Sequence, residues 1–212
     1  MPLPLSSFAL SPDFLITALI VVASPGTGVL YTLAAGLSRG PRASIIAAFG
    51  CTLGIVPHLV AALTGAAALL HASAVAFEVL KIAGVGYLLF MAWATLRAGG
   101  TLTIERDPAP RPARAVIVSG ILLNLLNPKL SIFFLAFLPQ FVDAAEPAPL
   151  ARMTALGLVF MALTFAVFVV YGVFAGAVRH LLVERPPVLK AMRIGFAAAF
   201  VALGAKLALA ER

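Results

Sequence analysis

Charge is what this sequence has least of. Asp, Glu, Lys and Arg make up 11% of its 212 residues, less than half the roughly one quarter found in soluble domains. So few charges cannot coat a water-facing surface of that size. With 62% hydrophobic residues and a mean hydropathy of +1.09, a water-soluble globule is excluded. Cysteine is nearly absent too. Cys51 stands alone inside an apolar block, so it can form neither an intrachain disulfide nor a paired-thiol relay, and redox chemistry is not expected. Acids are scarce at depth: Asp13, Glu78 and Asp143 lie toward the ends of apolar blocks. Hard cations need oxygen ligands and soft ones thiolates, so neither a metal site nor a cofactor is expected. There is no H-E-x-x-H, and His58, His71 and His180 are scattered. The residues therefore give no reason to read an enzyme.

Long apolar runs are what the chain does have. Blocks cover residues 13–37, 43–70, 77–96, 116–142, 153–178 and 188–209, each near or above the ~20 residues that cross ~30 Å of hydrocarbon. The expected fold is an all-α polytopic membrane protein with six transmembrane helices. No Lys or Arg precedes the first block, and the block is too long for a signal-peptide core, so it reads as a span. The formal net charge of +7 sits in the connections. Arg39 and Arg42 follow the first block, Arg97, Arg106, Arg111 and Arg114 the third, and Arg179, Arg185, Lys190 and Arg193 the fifth. On the other side are Lys81, Arg152, Lys206 and Arg212. The positive-inside rule then places both termini outside, and the partner of the basic loops is the lipid bilayer, with no nucleic acid implied.

The polar stretch 97–115, with Pro108, Pro110 and Pro112, reads as a cytoplasmic linker between two three-helix repeats, 1–96 and 116–212. Three is odd, so the second copy must be inverted relative to the first. The sequence contains a check. Ser24-Pro25-Gly26 begins eleven residues after Asp13, and Asn127-Pro128-Lys129 begins eleven residues after Val116. The first and fourth helices are thus expected to be broken near mid-membrane at matched positions, the best sequence pointer to a transport site. Ser24 and Asn127 read as N-caps with proline at the first helical position. Two half-helix starts would then aim free N–H groups at a common centre suited to an anion. The bland alternative is two simple proline kinks.

Lys129 lies ~20 Å of helix from either end of its block, farther than a lysine stem can snorkel. An intramembrane lysine marks a pathway or a counter-ion, and with no deep acid to pair it, a substrate carboxylate is the natural partner. Donation to carbonyls freed by Pro128 is the structural alternative. The substrate-binding candidates are Ser24, Pro25, Gly26, Thr27, Asn127, Pro128 and Lys129, with Tyr31 toward the inner vestibule and Asn124 one turn before Asn127. His58 is either a proton-coupling group or a packed histidine bonded to a freed carbonyl. Gly50 with Gly54, and Gly172 with Gly176, allow close helix approach within the monomer, or in a homodimer.

These motifs carry a resemblance. Ser24-Pro25-Gly26, Leu30-Tyr31-Thr32-Leu33, Gly36-Leu37-Ser38-Arg39-Gly40-Pro41-Arg42, Asn124-Leu125-Leu126-Asn127-Pro128-Lys129 and Phe137-Leu138-Pro139-Gln140-Phe141 closely resemble the LysE/RhtB family of amino-acid exporters. His58, Gly65 and Gly84-Val85-Gly86-Tyr87-Leu88 are in register as well. The resemblance implies a secondary carrier of the bacterial inner membrane that expels amino acids or related metabolites using the proton-motive force. One departure stands out: the family usually has Pro-Gly-Pro-Asn where this chain has Pro25-Gly26-Thr27-Gly28, which removes a rigid turn and an amide and puts the substrate's identity in question. The missing deep acid favours neutral over basic substrates. A cation carrier and a non-transport membrane protein are the competing readings.

Overall fold

The computed structural model describes residues 10–69, 74–97, 110–142, 146–175, 177 and 186–209. Among them there is no strand. Helices begin where the chain supplies a start signal. In α1 (Pro12–Ala23), Ser11 Oγ accepts from Phe14 N at 3.2 Å and Pro12 opens the first turn, satisfying an orphan donor where proline costs nothing. The second helix, α2 (Thr27–Arg39), ends at Gly40, whose φ of 82° needs a residue without Cβ, and α3 (Pro41–Leu53) starts at once on Pro41. After the turn at Gly54 and Ile55 the same span continues as α4 (Val56–Leu69). Then come α5 (Ala74–Arg97), α6 (Ala113–Leu125) and α7 (Pro128–Ile132), the last running into a π turn (Phe133–Phe137) and a 3-10 turn (Leu138–Phe141). α8 (Pro149–Val173) and α9 (Pro186–Ala208) complete the order.

Three described helical stretches, Pro41–Gly65, Pro149–Val173 and Lys190–Ala208, are long and apolar enough to cross a bilayer. Two bent pairs qualify when each is taken as one span: α1 with α2, at 57°, and α6 with the Pro128–Phe141 stretch, at 55°. That gives three to five spans, and the expected block 77–96 falls within the 24-residue α5. Most of the linker 97–115 lies outside the described residues, as do His71, Asp143, Gly176, Arg179, His180, Arg185 and Arg212.

Lipid offers helices no hydrophobic drive to associate, so small residues must bring backbones together. They do so inside this chain. A Cβ on Gly50 would lie 2.6 Å from Ile117 O, and one on Gly54 would lie 2.7 Å from Ile121 O, so both glycines seat α3 against α6. Gly120 answers from the other side, 2.8 Å from Cys51 N by the same construction. Gly36 of α2 meets Gly172 of α8, and Gly172 in turn meets Ser44 of α3. α9 packs chiefly on α5. Phe133, Phe134 and Phe160 form a buried aromatic knot, with Phe133 and Phe160 stacked at 4.3 Å. Ile16, Val60, Ile82, Leu122 and Val170 are exposed, as large apolar side chains on a lipid-facing surface are.

The two breaks differ in construction, and one expectation is corrected. Ser24 is not an N-cap. It is the C-cap of α1, extended at φ −64° and ψ 128°, and its Oγ donates to Val21 O at 3.1 Å. The following proline excludes the helical region for Ser24, and α2 restarts only at Thr27, with Gly26 at its N-cap and no side chain capping it. Asn127 behaves as its sequence implies: its Oδ1 accepts from Lys129 N at 3.0 Å, and Pro128 takes the first helical position.

Candidate functional site

Both breaks line one small cavity. Gly26, Gly28 and Val29 contribute from the start of α2, Asn124, Asn127 and Lys129 from the second break, and Phe160, Thr164 and Phe168 of α8 close it. Its volume is about 10 Å³, the least that holds a single water and far below the roughly 300–1,000 Å³ of a ligand pocket. The conformation is closed around the site.

Lys129 sits between the two broken helices. Its Nζ donates to Val21 O at 2.8 Å, Ser24 O at 3.1 Å and Ser24 Oγ at 3.0 Å, using all three N–H groups. The reason lies in Pro25. Val21 O would bond to the N–H four residues on, and proline has none. The ammonium replaces that donor and sits at the negative end of the α1 dipole. Lysine thus does bond to freed carbonyls, but to those of the first break rather than to those released by its own Pro128. Tyr171 Oη of α8 adds a bond to Ala23 O at 2.9 Å on the same helix end, a contribution that no sequence pattern announced.

The second break is served in a parallel way. Pro128 frees Asn124 O, and His58 Nε2 donates to that oxygen at 2.9 Å. Because a carbonyl only accepts, Nε2 carries a proton, and Nδ1 lies 3.3 Å from Ser131 Oγ. His58 is thus bonded to a freed carbonyl in this conformation.

Asn124 is 2% exposed, and its amide is pinned. Nδ2 donates to Cys51 O at 2.7 Å; turned round, the amide would set oxygen against oxygen, so Oδ1 must face the other way. That Oδ1 is buried and has no hydrogen-bond partner among the described residues, and a Cβ on Gly28 would lie 2.8 Å from it. An orphaned buried acceptor beside a cavity calls for a donor.

Other candidates fall elsewhere. Tyr31 Oη donates to Val116 O at 2.9 Å and ties α2 to α6. Thr27 is exposed at the start of α2, Pro128 is exposed, and neither they nor Pro25 line the cavity. The prolines act by withholding an N–H. Lys129 and Val21 also line a second cavity of about 10 Å³, with Tyr87 and Leu88 of α5, Phe133 and Phe137 of the π turn, and Phe200 and Leu203 of α9. Tyr87 Oη is buried and unpartnered among the described residues. The sequence signal there was only the Gly84–Leu88 stretch of the family resemblance.

The family profile of the LysE type translocator matches residues 19–211. The chain belongs to that family. Over 198 residues this LysE-type translocator is 29% identical to the homoserine/homoserine lactone efflux protein of Salmonella typhimurium, covering 93% of this chain and 95% of the relative. It is 34% identical over 130 residues to an uncharacterized membrane protein of Vibrio cholerae, 61% of this chain and 63% of that one. With the leucine efflux protein of Klebsiella pneumoniae it shares 29% over 137 residues, 64% and 65% of the two chains. No solved structure matches it. The translocator is a multi-pass membrane transport protein rather than an enzyme, and its apolar composition and helices suit a membrane protein.

Proposed function

We propose that this translocator exports neutral amino acids from the bacterial cytoplasm across the inner membrane, driven by the proton-motive force. The cavity between the two broken helices carries the proposal. It brings together an ammonium, an uncapped helix start and an orphaned amide oxygen. A substrate carboxylate fits the Lys129 Nζ and the first N–H groups of α2, and its ammonium fits Asn124 Oδ1. Gly26 keeps the approach to Nζ open, since a Cβ there would stand 3.3 Å from it. Among the described residues no Asp or Glu lines either cavity, so a basic side chain would enter unpaired. Relatives are named for homoserine/homoserine lactone efflux and for leucine efflux, and homoserine and leucine are neutral zwitterions of this kind.

The inverted repeat is part of the same reading. Count α1–α2 as the first span, α3–α4 as the second, α5 as the third, α6–α7 with its π and 3-10 turns as the fourth, α8 as the fifth and α9 as the sixth. Exchanging first with fourth, second with fifth and third with sixth leaves the packing scheme unchanged. Second-on-fourth becomes fifth-on-first, third-on-fourth becomes sixth-on-first, and third-on-sixth and second-on-fifth map onto themselves. The bends of 57° and 55° correspond as well. Residues 1–96 and 116–212 are then the two repeats and 97–115 the cytoplasmic linker, with both termini outside. Lys206 near the end of α9 pairs with Asp13 at the start of α1 at 2.7 Å, which supports an even number of spans. Protonation of His58 would turn its contact with Ser131 from acceptor to donor beside the second break, which makes it the proton-coupling group of this reading. A homodimer would have to use faces other than Gly50, Gly54 and Gly172, which pack within the monomer.

The test is efflux of labelled amino acids from preloaded proteoliposomes, with and without an imposed proton gradient. Gradient-stimulated loss of neutral amino acids, with arginine and lysine retained, is the expected result. Faster movement of arginine than of threonine would overturn the neutral-substrate reading, and no movement of any amino acid would overturn the exporter.

A further inference from the structure

The two cavities that meet at Lys129 differ in kind. The one between the breaks has an amide oxygen and a helix start. The other is walled by Leu88, Met91, Ile132, Phe133, Phe137 and Phe200, and apart from Lys129 its one polar side chain among the described residues is Tyr87. Tyr87 Oη is shut away from solvent with no hydrogen-bond partner among the described residues. Native interiors seldom leave a hydroxyl in that condition without a reason.

We infer that this second cavity is the subsite for the substrate's side chain and that Tyr87 reads a hydroxyl there. The inference rests on the exporter reading above and adds what the side chain must be. Val21 and Lys129 line both cavities. A zwitterion whose carboxylate meets Lys129 and whose ammonium meets Asn124 therefore has the apolar compartment as the place for its side chain. Walls of Leu, Met, Ile and Phe accept aliphatic groups. Oη can donate and accept, so a hydroxyl on the β or γ carbon meets a partner that is already buried and waiting. Among the described residues of the walls a guanidinium would find no opposite charge, and a second carboxylate would find only the lysine that is already engaged. The class is neutral amino acids with short aliphatic or hydroxylated side chains, the hydroxylated ones favoured.

The experiment compares isosteric pairs that differ by a hydroxyl in place of a methyl, threonine with valine and homoserine with norvaline. The full-length protein in proteoliposomes is used, native and Tyr87→Phe. A site built to bond a substrate hydroxyl discriminates strongly against the analogue that lacks it. The native ratio of kcat/KM should favour the hydroxylated member, and Tyr87→Phe, which removes one hydrogen bond, should reduce that ratio about tenfold through a loss on the hydroxylated member. An unchanged ratio in an active Tyr87→Phe protein overturns the inference and leaves the exporter standing. A native protein that moves no amino acid at all overturns both. Met91→Ala gives an independent reading by enlarging the compartment. Larger side chains such as phenylalanine should gain relative to valine, and the absence of any such gain would place the side chain elsewhere.

Discussion

Replacing Lys129 with methionine separates the two roles that its ammonium plays. The structural loss is the removal of three donors, to Val21 O, Ser24 O and Ser24 Oγ. Val21 O keeps the Ser24 hydroxyl at 3.1 Å, so one carbonyl is partly spared and Ser24 O bears most of the damage. An unpaired buried polar group costs about 1–3 kcal/mol, which puts the total loss at roughly 2–4 kcal/mol. Against this stands the relief of not holding a charge at mid-membrane depth, about 2.5–3.5 kcal/mol on insertion scales. The two nearly cancel, so Lys129→Met should fold with a stability within about 2 kcal/mol of the native protein. Transport has no such compensation. Losing the cationic partner of a buried carboxylate costs about 2–5 kcal/mol, or about 30-fold or more in apparent affinity. Melting in detergent reads the first quantity and counterflow of threonine in proteoliposomes reads the second. A folded Lys129→Met protein that exchanges threonine at the native rate would refute the placement of the carboxylate and leave Lys129 as a helix cap alone.

Gly36→Ala drives a Cβ onto Gly172 O of α8, and overpacking of this kind should cost about 1–3 kcal/mol in a detergent melt; Gly86→Ala, where nothing lies within 4 Å, should be neutral or stabilising by up to about 1 kcal/mol. Equal melting temperatures for the two would show that α2 and α8 do not approach as described. His58→Phe removes the donor to Asn124 O, which keeps Asn127 N at 3.0 Å, so the stability loss should be only about 1 kcal/mol. The same variant should retain exchange and lose gradient-driven export, and gradient-driven export at native levels would discharge His58 from coupling. A double-mutant cycle of Pro25→Ala with Lys129→Met should show a coupling of about 1 kcal/mol, because alanine at 25 supplies the N–H that Val21 O lacks; additive effects would show that the ammonium does not serve that carbonyl. A periplasmic reporter fused at Arg212 should be active, and a cytoplasmic reporter at the same place should be silent. The reverse pattern would break the six-span topology.

The breaks were legible because proline and its preceding residue act locally: a missing N–H and a forbidden helical region depend on two residues and nothing distant. What the local rules misjudged was which residue ends one helix and which begins the next. Ser24 and Asn127 look alike in sequence, yet Asn127 caps α7 forward while Ser24 caps α1 backward. The difference lies in the residue after the proline. Gly26 is extended and delays α2 to Thr27, whereas Lys129 is already helical. Contacts between distant segments were not legible. Nothing in the order of residues pairs Lys129 with Val21, His58 with Asn124, or Tyr87 with the far side of Lys129, because membrane helices are apolar all round and their facing is decided by close packing at Gly50, Gly54, Gly120 and Gly172. The orphaned atoms Asn124 Oδ1 and Tyr87 Oη are visible only once every neighbour is in place.

Each proline in a break creates an acceptor four residues earlier, and in each case a basic side chain from another helix takes it: Lys129 for Val21 O, and His58 for Asn124 O. The breaks are thus held by groups that also have chemistry to offer. For Lys129 the consequence is competition. An ammonium has three N–H groups, and in the closed conformation all three are committed to the end of α1 and to Ser24. On the proposed reading a carboxylate entering the cavity would take at least one of them, and whatever it took would be lost to the α1 terminus. Binding at the centre, as proposed, and the grip on the first broken helix would therefore draw on the same three hydrogen bonds. A cavity of about 10 Å³ cannot admit an amino acid unless its walls move, and the wall most directly released by such an exchange is α1 with Ser24 at its end. Tyr171, which holds Ala23 O from α8, would keep that end attached to the rest of the bundle if the lysine changed partner.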